Sequence, residues 1–151
     1  MSQRKGRFRW ESIADRFNVF AVHTALYRLL GGRIVGNKIL LLTTIGRRTG
    51  RLRTTPLFFV RDGDAYVVVA SNGGEDRYPG WWHNIRSDPN ATIQVGREIV
   101  TCRAEVASTA DGPRLWPKLD AVYAGYRRYR EGTARELTIF RLKAAPDAVR
   151  G

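Results

Sequence analysis

The sequence predicts an α+β fold made mainly of antiparallel β-strands, in which six strands form a small barrel or curled sheet with peripheral helices. Three observations support this class. Short apolar, β-friendly runs recur along the chain, and tight turns join several of them. Strands joined by tight turns must be antiparallel, because a parallel pair requires a long crossover. No regular alternation of strands with helices occurs, and 151 residues suffice for one domain with its own core.

The first 37 residues are expected to precede the sheet. Residues 1–9 are basic and polar, which predicts a flexible arm. Residues 10–30 carry apolar side chains near a helical period, and Gly31 and Gly32 end that pattern. Such a helix, with an uncharged stretch beside a basic arm, could lie on an anionic membrane surface. Packing of the helix on its own domain is the alternative interpretation.

The six predicted strands are apolar runs bounded by polar turn residues. Residues 61–64 form a hairpin turn between two of these runs, and Gly96 with Arg97 forms another. The strands are predicted at residues 39–44, 52–60, 65–71, 91–95, 98–106 and 137–142.

Two further helices are predicted among the strands. The first covers residues 79–85, where Pro79 suits the opening turn, and the second runs from residue 111 to about residue 129. Residues 144–151 are expected to form a loose tail. Because neither an internal repeat nor a low-complexity linker interrupts the pattern, residues 10–143 are predicted to form a single domain.

The charge of the chain is its unusual bulk property. Lysine and arginine total 26, of which 22 are arginines, against 14 acidic residues, so the net charge is +12. Arginine suits the two-pronged binding of phosphate and carboxylate. A field of this sign attracts nucleic acid, an anionic membrane or a cofactor with phosphate and carboxylate groups. A merely solvated basic surface is the alternative, and only the positions of the charges can decide.

Cysteine usage and hydropathy restrict the location of the protein. Cys102 is the only cysteine, so no internal disulfide can form, and no cysteine and histidine set with metal-ligand spacing is present. No signal-peptide pattern and no apolar stretch of spanning length occurs in this sequence. A cytoplasmic protein without a metal site is therefore expected.

The densest chemical signal is the segment of residues 43–56, TTIGRRTGRLRTTP. Gly46 and Gly50 allow the backbone to approach a ligand closely. Arginine and threonine side chains add fixed positive charge and hydroxyl donors. Four arginines on one short loop repel one another unless an anion lies among them, which favours an anion site over a solvated basic hairpin. The donors in question are Arg47, Arg48, Thr49, Arg51, Arg53, Thr54 and Thr55.

Two other segments are candidates for a binding site. Residues 70–74 and 79–84 combine small residues with Trp81 and Trp82, which could admit a flat ring between apolar walls. Tyrosines at positions 123, 126 and 129 share one face of the predicted helix, where core packing and a pocket role are equally compatible with the spacing. No pair of carboxylates, Ser-His-Asp order or nucleophilic cysteine is evident, which suits chemistry performed by a cofactor.

These segments together resemble the deazaflavin-dependent nitroreductases, an actinobacterial family that uses reduced coenzyme F-420. The resemblance covers residues 39 to 129. It rests on LLTTIGRRTG with Arg53 and Pro56 after it, on ASNGG at residues 70–74, on Pro79-x-Trp81-x-x-Asn84, and on the tyrosine triplet. Relatives often carry lysine at the position of Arg48, which keeps the charge but could alter the preference for the cofactor tail.

The resemblance implies a split β-barrel and a hydride transfer from the deazaflavin to a quinone, an enone or a nitroaromatic. The phosphate and oligoglutamate tail would be held by the arginine loop (residues 46–53), through Arg47, Arg48, Thr49 and Arg53. Ser71 and Tyr126 would orient the ring and the acceptor as the catalytic residues. The cofactor-binding residues implied are Arg47, Arg48, Thr49, Arg53, Thr54, Thr55, Pro56, Leu57, Phe58, Val69, Ala70, Ser71, Asn72, Gly80, Trp81, Trp82, His83, Asn84 and Tyr126.

Two functions of other classes remain as alternatives at this point. A nucleic-acid-binding protein would explain the charge, although the aromatic residues are not interleaved with the basic loop as on a stacking platform. A flavin or haem carrier without turnover could use the same barrel. The sequence leaves the oligomeric state open.

Overall fold

The computed structural model describes residues 38–96 and 98–145, and within them seven strands form one antiparallel sheet. The strand order is β2-β1-β5-β6-β7-β4-β3, and β2 also contacts β4, so the sheet curls toward closure. The predicted arm, the N-terminal helix, Arg97 and residues 146–151 lie outside the described residues. The strands are β1 (Ile39–Ile45), β2 (Leu52–Phe58), β3 (Val60–Asp62), β4 (Ala65–Val69), β5 (Asn90–Val95), β6 (Glu98–Val106) and β7 (Ile139–Ala144).

The mainly antiparallel α+β class is confirmed, but the predicted number of six strands is wrong. The run predicted at residues 52–60 divides at Phe59, whose amide donates to the carbonyl of Lys38 at 2.9 Å. Phe59 packs into one hydrophobic cluster, whereas Phe58 and Val60 pack into another. Phe59 itself belongs to neither strand, and β3 pairs with β4, whereas β2 pairs with β1. Strand β4 also ends at Val69 rather than at residue 71.

The prediction of one long helix from residue 111 to residue 129 is also wrong, because the helix ends at Val122 and a separate helix begins at Gly125. Helix α1 spans Gly80–Ser87, α2 spans Gly112–Val122 and α3 spans Gly125–Gly132. Tyr123 is extended, with φ of −151° and ψ of 104°. A Cβ atom on Gly125 would lie 2.5 Å from the Tyr123 ring, so glycine there allows the ring to fold back over the break. Strand β7 begins two residues later than predicted and reaches Ala144.

Two hydrophobic clusters lie on opposite sides of the curled sheet, as the alternation of side chains along a strand requires. On β4, Val68 belongs to the first cluster, while Val67 and Val69 belong to the second. Helix α1 covers the first cluster, and α2 with α3 covers the second. The helix residues buried there are Trp81 and Ile85 in the first cluster, and Leu115, Leu119 and Tyr126 in the second.

A nearly buried carboxylate connects α2 to the sheet. Asp62, at the end of β3, accepts hydrogen bonds from Arg114 of α2 and Arg141 of β7, and Lys118 lies 3.8 Å away. The hydrogen bond from Arg114 is the main reason that the pKa of Asp62 lies below its usual value; burial opposes the shift and Arg141 adds to it. This carboxylate therefore holds the helix that leads to the tyrosine triplet.

Because the pKa of Asp62 is lower in the folded than in the unfolded chain, its stabilising contribution is present above the usual aspartate pKa of about 4 and is lost as the pH falls through the folded value. Asp62→Asn should reduce the free energy of unfolding by about 1.5–3 kcal/mol at pH 7. Urea unfolding from neutral to acidic pH measures this. Asp64→Asn, in the exposed turn after β3, is the control; equal stability of Asp62→Asn and wild type would contradict the prediction.

Candidate active site

One elongated cavity of about 720 Å³ brings the three sequence segments together. Its basic end is formed by the loop between β1 and β2, its walls by β2, β4 and the start of α1, and its far end by the tyrosine triplet. The lining residues are Gly46, Arg47, Arg48, Thr49, Arg53, Thr55, Pro56, Leu57, Phe58, Val69, Ser71, Asn72, Gly73, Pro79, Gly80, Trp81, Asn84, Tyr123, Tyr126 and Tyr129.

The β1–β2 loop is a tight turn that depends on its glycines. The amide of Gly46 donates to the carbonyl of Arg51 at 2.7 Å, and the amide of Gly50 donates to the carbonyl of Gly46 at 2.8 Å. Gly50 has φ of +69°, and a Cβ atom on Gly46 would lie 2.9 Å from the Thr49 hydroxyl oxygen. That oxygen accepts from the amide of Arg51 at 3.2 Å, which leaves its proton for a ligand.

Asn84 connects this loop to helix α1. Its amide group donates to the Thr44 hydroxyl oxygen at 3.1 Å, and its carbonyl oxygen accepts from the backbone amide of Arg47 at 3.1 Å. Only 6% of Asn84 is exposed. Both ends of the side chain are thereby satisfied, and the start of the arginine run is fixed against α1.

The basic end of the cavity carries cations that no carboxylate neutralises. Arg47, Arg48 and Arg53 line it, are exposed, and form no ion pair within residues 38–96 and 98–145. Arg51 is also exposed but does not line the cavity. The pKa of His83 is lowered, first by burial and then by the charges of Arg47 and Arg48, so the positive field extends onto α1.

The middle of the cavity is mostly apolar. Leu57 and Phe58 of β2, Val69 of β4 and Trp81 of α1 are the apolar lining residues there. The exposed Gly80 at the start of α1 has no atom within 4 Å of the position that a Cβ would take, so the backbone faces open space there. An aromatic ring system fits such walls.

At the far end of the cavity, two of the three tyrosine hydroxyls are hydrogen-bonded to each other, and the third forms no hydrogen bond among the described residues. The hydroxyls of Tyr123 and Tyr129 share a hydrogen bond of 2.7 Å, and the ring of Tyr123 stacks on Phe58 at 4.9 Å. Tyr126 is 97% buried, and its hydroxyl hydrogen-bonds to no residue within the described part of the chain. Burial is the main cause that raises the pKa of Tyr126, and the neighbouring tyrosines add to it. Tyr126 is therefore protonated at neutral pH.

Comparison with known proteins identifies the family. The profile of the F420H(2)-dependent quinone reductases matches residues 19–144. This chain belongs to that family. The F420H(2)-dependent quinone reductase Rv1261c of Mycobacterium tuberculosis strain H37Rv is 39% identical over 140 residues, which are 87% of this chain and 93% of the relative. The quinone reductase named as putative, Rv3178 of the same strain, is 33% identical and is matched over 69% of this chain and 87% of its own length.

Solved structures agree with the family assignment. The F420-H2 dependent reductase FDR-A superposes with a TM-score of 0.66 and 27% identity, over 72% of this chain and 96% of that protein. A chain described as a domain-swapped dimer gives the same score with 25% identity, over 83% and 99%. The predicted membership in the deazaflavin-dependent reductases and the predicted split-barrel fold are confirmed.

Within this quinone reductase family member, the cavity brings together fifteen of the residues that the sequence implied for the cofactor site. Four others do not line it. Thr54 turns to the opposite face of β2, where its hydroxyl bonds to Thr43 at 2.8 Å, and Ala70 is fully buried. Trp82 and His83 lie on the side of α1 that faces Tyr78, whose ring is 4.0 Å from the indole of Trp82.

Sequence reasoning did not include five lining residues among the cofactor-binding set. Gly46, Gly73 and Pro79 contribute backbone surface between residues that were included, so their position in the motifs could have indicated them. Tyr123 and Tyr129 belong to the tyrosine triplet, but their spacing on one predicted continuous helix does not indicate that they line the cavity. The break before α3 brings them there. Within the described residues, no helix of the reductase is long and apolar enough to cross a membrane.

Proposed function

We propose that this family member transfers a hydride from reduced coenzyme F-420 to a small electron-poor acceptor, of which a quinone is the first to test. The proposal rests on one observation: a single cavity has arginines without ion-pair partners among the described residues at one end, and the unengaged hydroxyls of Ser71 and Tyr126 toward the other. A cofactor that carries both a polyanionic tail and a reactive ring requires this combination. A phosphate site alone would need only the first end.

The basic end fits the tail of the cofactor. Phosphate and carboxylate groups are bound best by guanidinium donors, and Arg47, Arg48 and Arg53 are available because none of them is in an ion pair among the described residues. The Thr49 hydroxyl adds a neutral donor. Asn84 would act indirectly by fixing the backbone of Arg47.

The apolar middle fits a flat tricyclic ring. Leu57, Phe58 and Val69 would contact one part of it and Trp81 another, while Gly80 leaves room for close approach. When bound, the reduced deazaflavin supplies the hydride. The chain supplies a cavity whose walls exclude water from much of the ring, which protects the hydride from side reactions.

The tyrosine end fits the acceptor. Addition of a hydride to a quinone places negative charge on an oxygen, which then needs a proton or a hydrogen-bond donor. Tyr126 is protonated and unengaged, and the hydroxyl of Ser71 forms no hydrogen bond within the described residues. These two hydroxyls would orient the ring and the acceptor and donate to the developing charge.

A titration of the purified protein with coenzyme F-420 tests the proposal. We expect saturable quenching of the cofactor fluorescence and, under anaerobic conditions, oxidation of the reduced cofactor when a benzoquinone or naphthoquinone is added. Absence of saturable binding would refute the cofactor assignment. Binding without quinone-dependent oxidation would refute the proposed reaction.

The same preparation distinguishes the other functions that the charge allows. A flavin or haem carrier would show the visible spectrum of its bound group, whereas a nucleic-acid-binding protein would bind DNA or RNA with a steep salt dependence. Neither result is expected. Contact of residues 10–30 with an anionic membrane remains a prediction, since those residues lie outside the described part of the chain.

A further inference from the structure

An arginine from a distant segment holds the loop that carries Ser71. Arg135 lies between α3 and β7. Its Nη2 donates to the carbonyl of Ser71 at 2.7 Å, its Nη1 donates to the carbonyl of Ala70 at 3.0 Å, and its Nε donates to the carbonyl of Glu75 at 2.8 Å. The guanidinium therefore bridges the two ends of residues 71–75, here called the Ser71 loop.

The Ser71 loop needs such support because its backbone is unfavourable. Asn72 has φ of +46°, and Gly73 and Gly74 follow with φ of +64° and +81°. A run of left-handed residues is uncommon, particularly when one of them is not glycine. Within the loop itself, the amides of Gly74 and Glu75 donate to nearby carbonyls. Among the described residues, only Arg135 donates a side-chain hydrogen bond to the carbonyl of Ala70.

The orientation of the guanidinium is fixed by packing rather than by an acid. Arg135 forms no ion pair within residues 38–96 and 98–145. Its guanidinium carbon lies 4.7 Å from the centre of the Tyr78 ring, and Tyr78 stacks on Trp82 at 4.0 Å. The indole nitrogen of Trp82 in turn donates to the Thr138 hydroxyl oxygen at 3.1 Å. This stack extends from α1 to the segment before β7.

We infer that Arg135 is a positioning residue for the ring end of the active site, because its planar fork holds the Ser71 loop in the conformation that brings Ser71 to the cavity. The inference rests on the proposed function for the role of Ser71. The three carbonyls accept from three different nitrogens of one guanidinium. The single nitrogen of a lysine ammonium group cannot reproduce these separate donor positions. The spacing of the guanidinium donors thus accounts for an arginine at position 135.

Arg135 also borders a second cavity, so a guanidinium ion added to a truncated variant can test the inference. Arg135 lines a second cavity of about 450 Å³, together with Trp82, Trp116 and Thr138. Truncation of the arginine would open a space that joins this cavity. A guanidinium ion from solution could then occupy the position of the lost side chain.

Hydrogen exchange of the protein without cofactor is the first measurement. In Arg135→Lys, the amides of residues 71–75 should exchange about tenfold faster than in wild type, because the loop opens more often. The amides of β1 and β2 should keep their rates. The matched control is Arg61→Lys, since Arg61 also lies over a tyrosine ring, at 4.0 Å from Tyr66, and donates to a backbone carbonyl.

Turnover is the second measurement. We expect Arg135→Lys and Arg135→Ala to lower kcat by about tenfold or more, while the Kd of the cofactor stays within about threefold, since the arginine loop is unchanged. Millimolar guanidinium chloride should restore part of the kcat of Arg135→Ala, and sodium chloride of equal ionic strength should not. Arg61→Lys should retain wild-type turnover.

Three results would overturn the inference: unchanged exchange of the Ser71 loop in Arg135→Lys, wild-type kcat in either variant, or a loss of cofactor affinity as large as the loss of kcat. The last result would indicate a general structural role. Failure of the proposed function is recognised separately, because wild type would then either not bind coenzyme F-420 or bind it without quinone-dependent oxidation, while the exchange measurement would still decide whether Arg135 holds the loop.

Discussion

Replacing Arg48 and Arg53 together with alanine is expected to weaken the binding of coenzyme F-420 by about a hundredfold. Each guanidinium can form a charge-assisted hydrogen bond to the tail, and an exposed bond of this kind contributes about 1.5 kcal/mol, or roughly tenfold in Kd. Neither arginine is in an ion pair within the described residues, so no internal partner is left unpaired by the change. Fluorescence titration measures the effect without turnover.

The loop itself provides a matched control for this prediction. Arg51 lies between the two positions, is also exposed, and does not line the cavity. Arg51→Ala should change the Kd by no more than about twofold, since it removes the same charge from the surface but no direct contact. If Arg51→Ala weakened binding as much as Arg48→Ala, the general positive field rather than the cavity would account for the affinity.

The arginine loop could be predicted from the sequence because its cause is local. Gly46 and Gly50 stand four residues apart and close the turn with their own backbone hydrogen bonds, so the arginines between and after them must project from one end of β1 and β2. The hairpins of β3 with β4 and of β5 with β6 follow in the same way from short turns. In each of these cases the partners are close in the chain.

The ring end could be predicted only in part because its geometry depends on distant contacts. The Tyr123 ring packs on Phe58 of β2 at the point where α2 ends. The apolar periodicity of residues 111–129 did not indicate that the helix would end there. Arg135 had no motif to mark it, since its carbonyl partners at Ala70 and Ser71 are 65 and 64 residues away in the chain. A backbone carbonyl can be provided by any residue, so such a contact leaves no trace in sequence spacing.

Tyr126→Phe is expected to lower kcat with a quinone by about a hundredfold, the lower end of the usual effect of removing a proton donor. The hydroxyl forms no hydrogen bond among the described residues, so its removal should leave the fold intact. The pKa of Tyr126 lies above the ordinary tyrosine value, mainly through burial. The phenol therefore stays protonated through the pH range near 10 in which an exposed tyrosine ionises, and wild-type kcat should not fall there by its ionisation.

Stopped-flow measurement of the oxidation of bound reduced cofactor isolates the step that Tyr126 serves. The Kd of the cofactor should change little, because its anionic tail lies at the opposite end of the cavity from the phenol. Tyr66→Phe, which removes a hydroxyl from a half-buried tyrosine of β4 outside the cavity, should retain wild-type kcat. If Tyr126→Phe reacted as fast as wild type, the proton would have to come from Ser71 or from water, and burial of the phenol would then serve only the packing between α3 and β4.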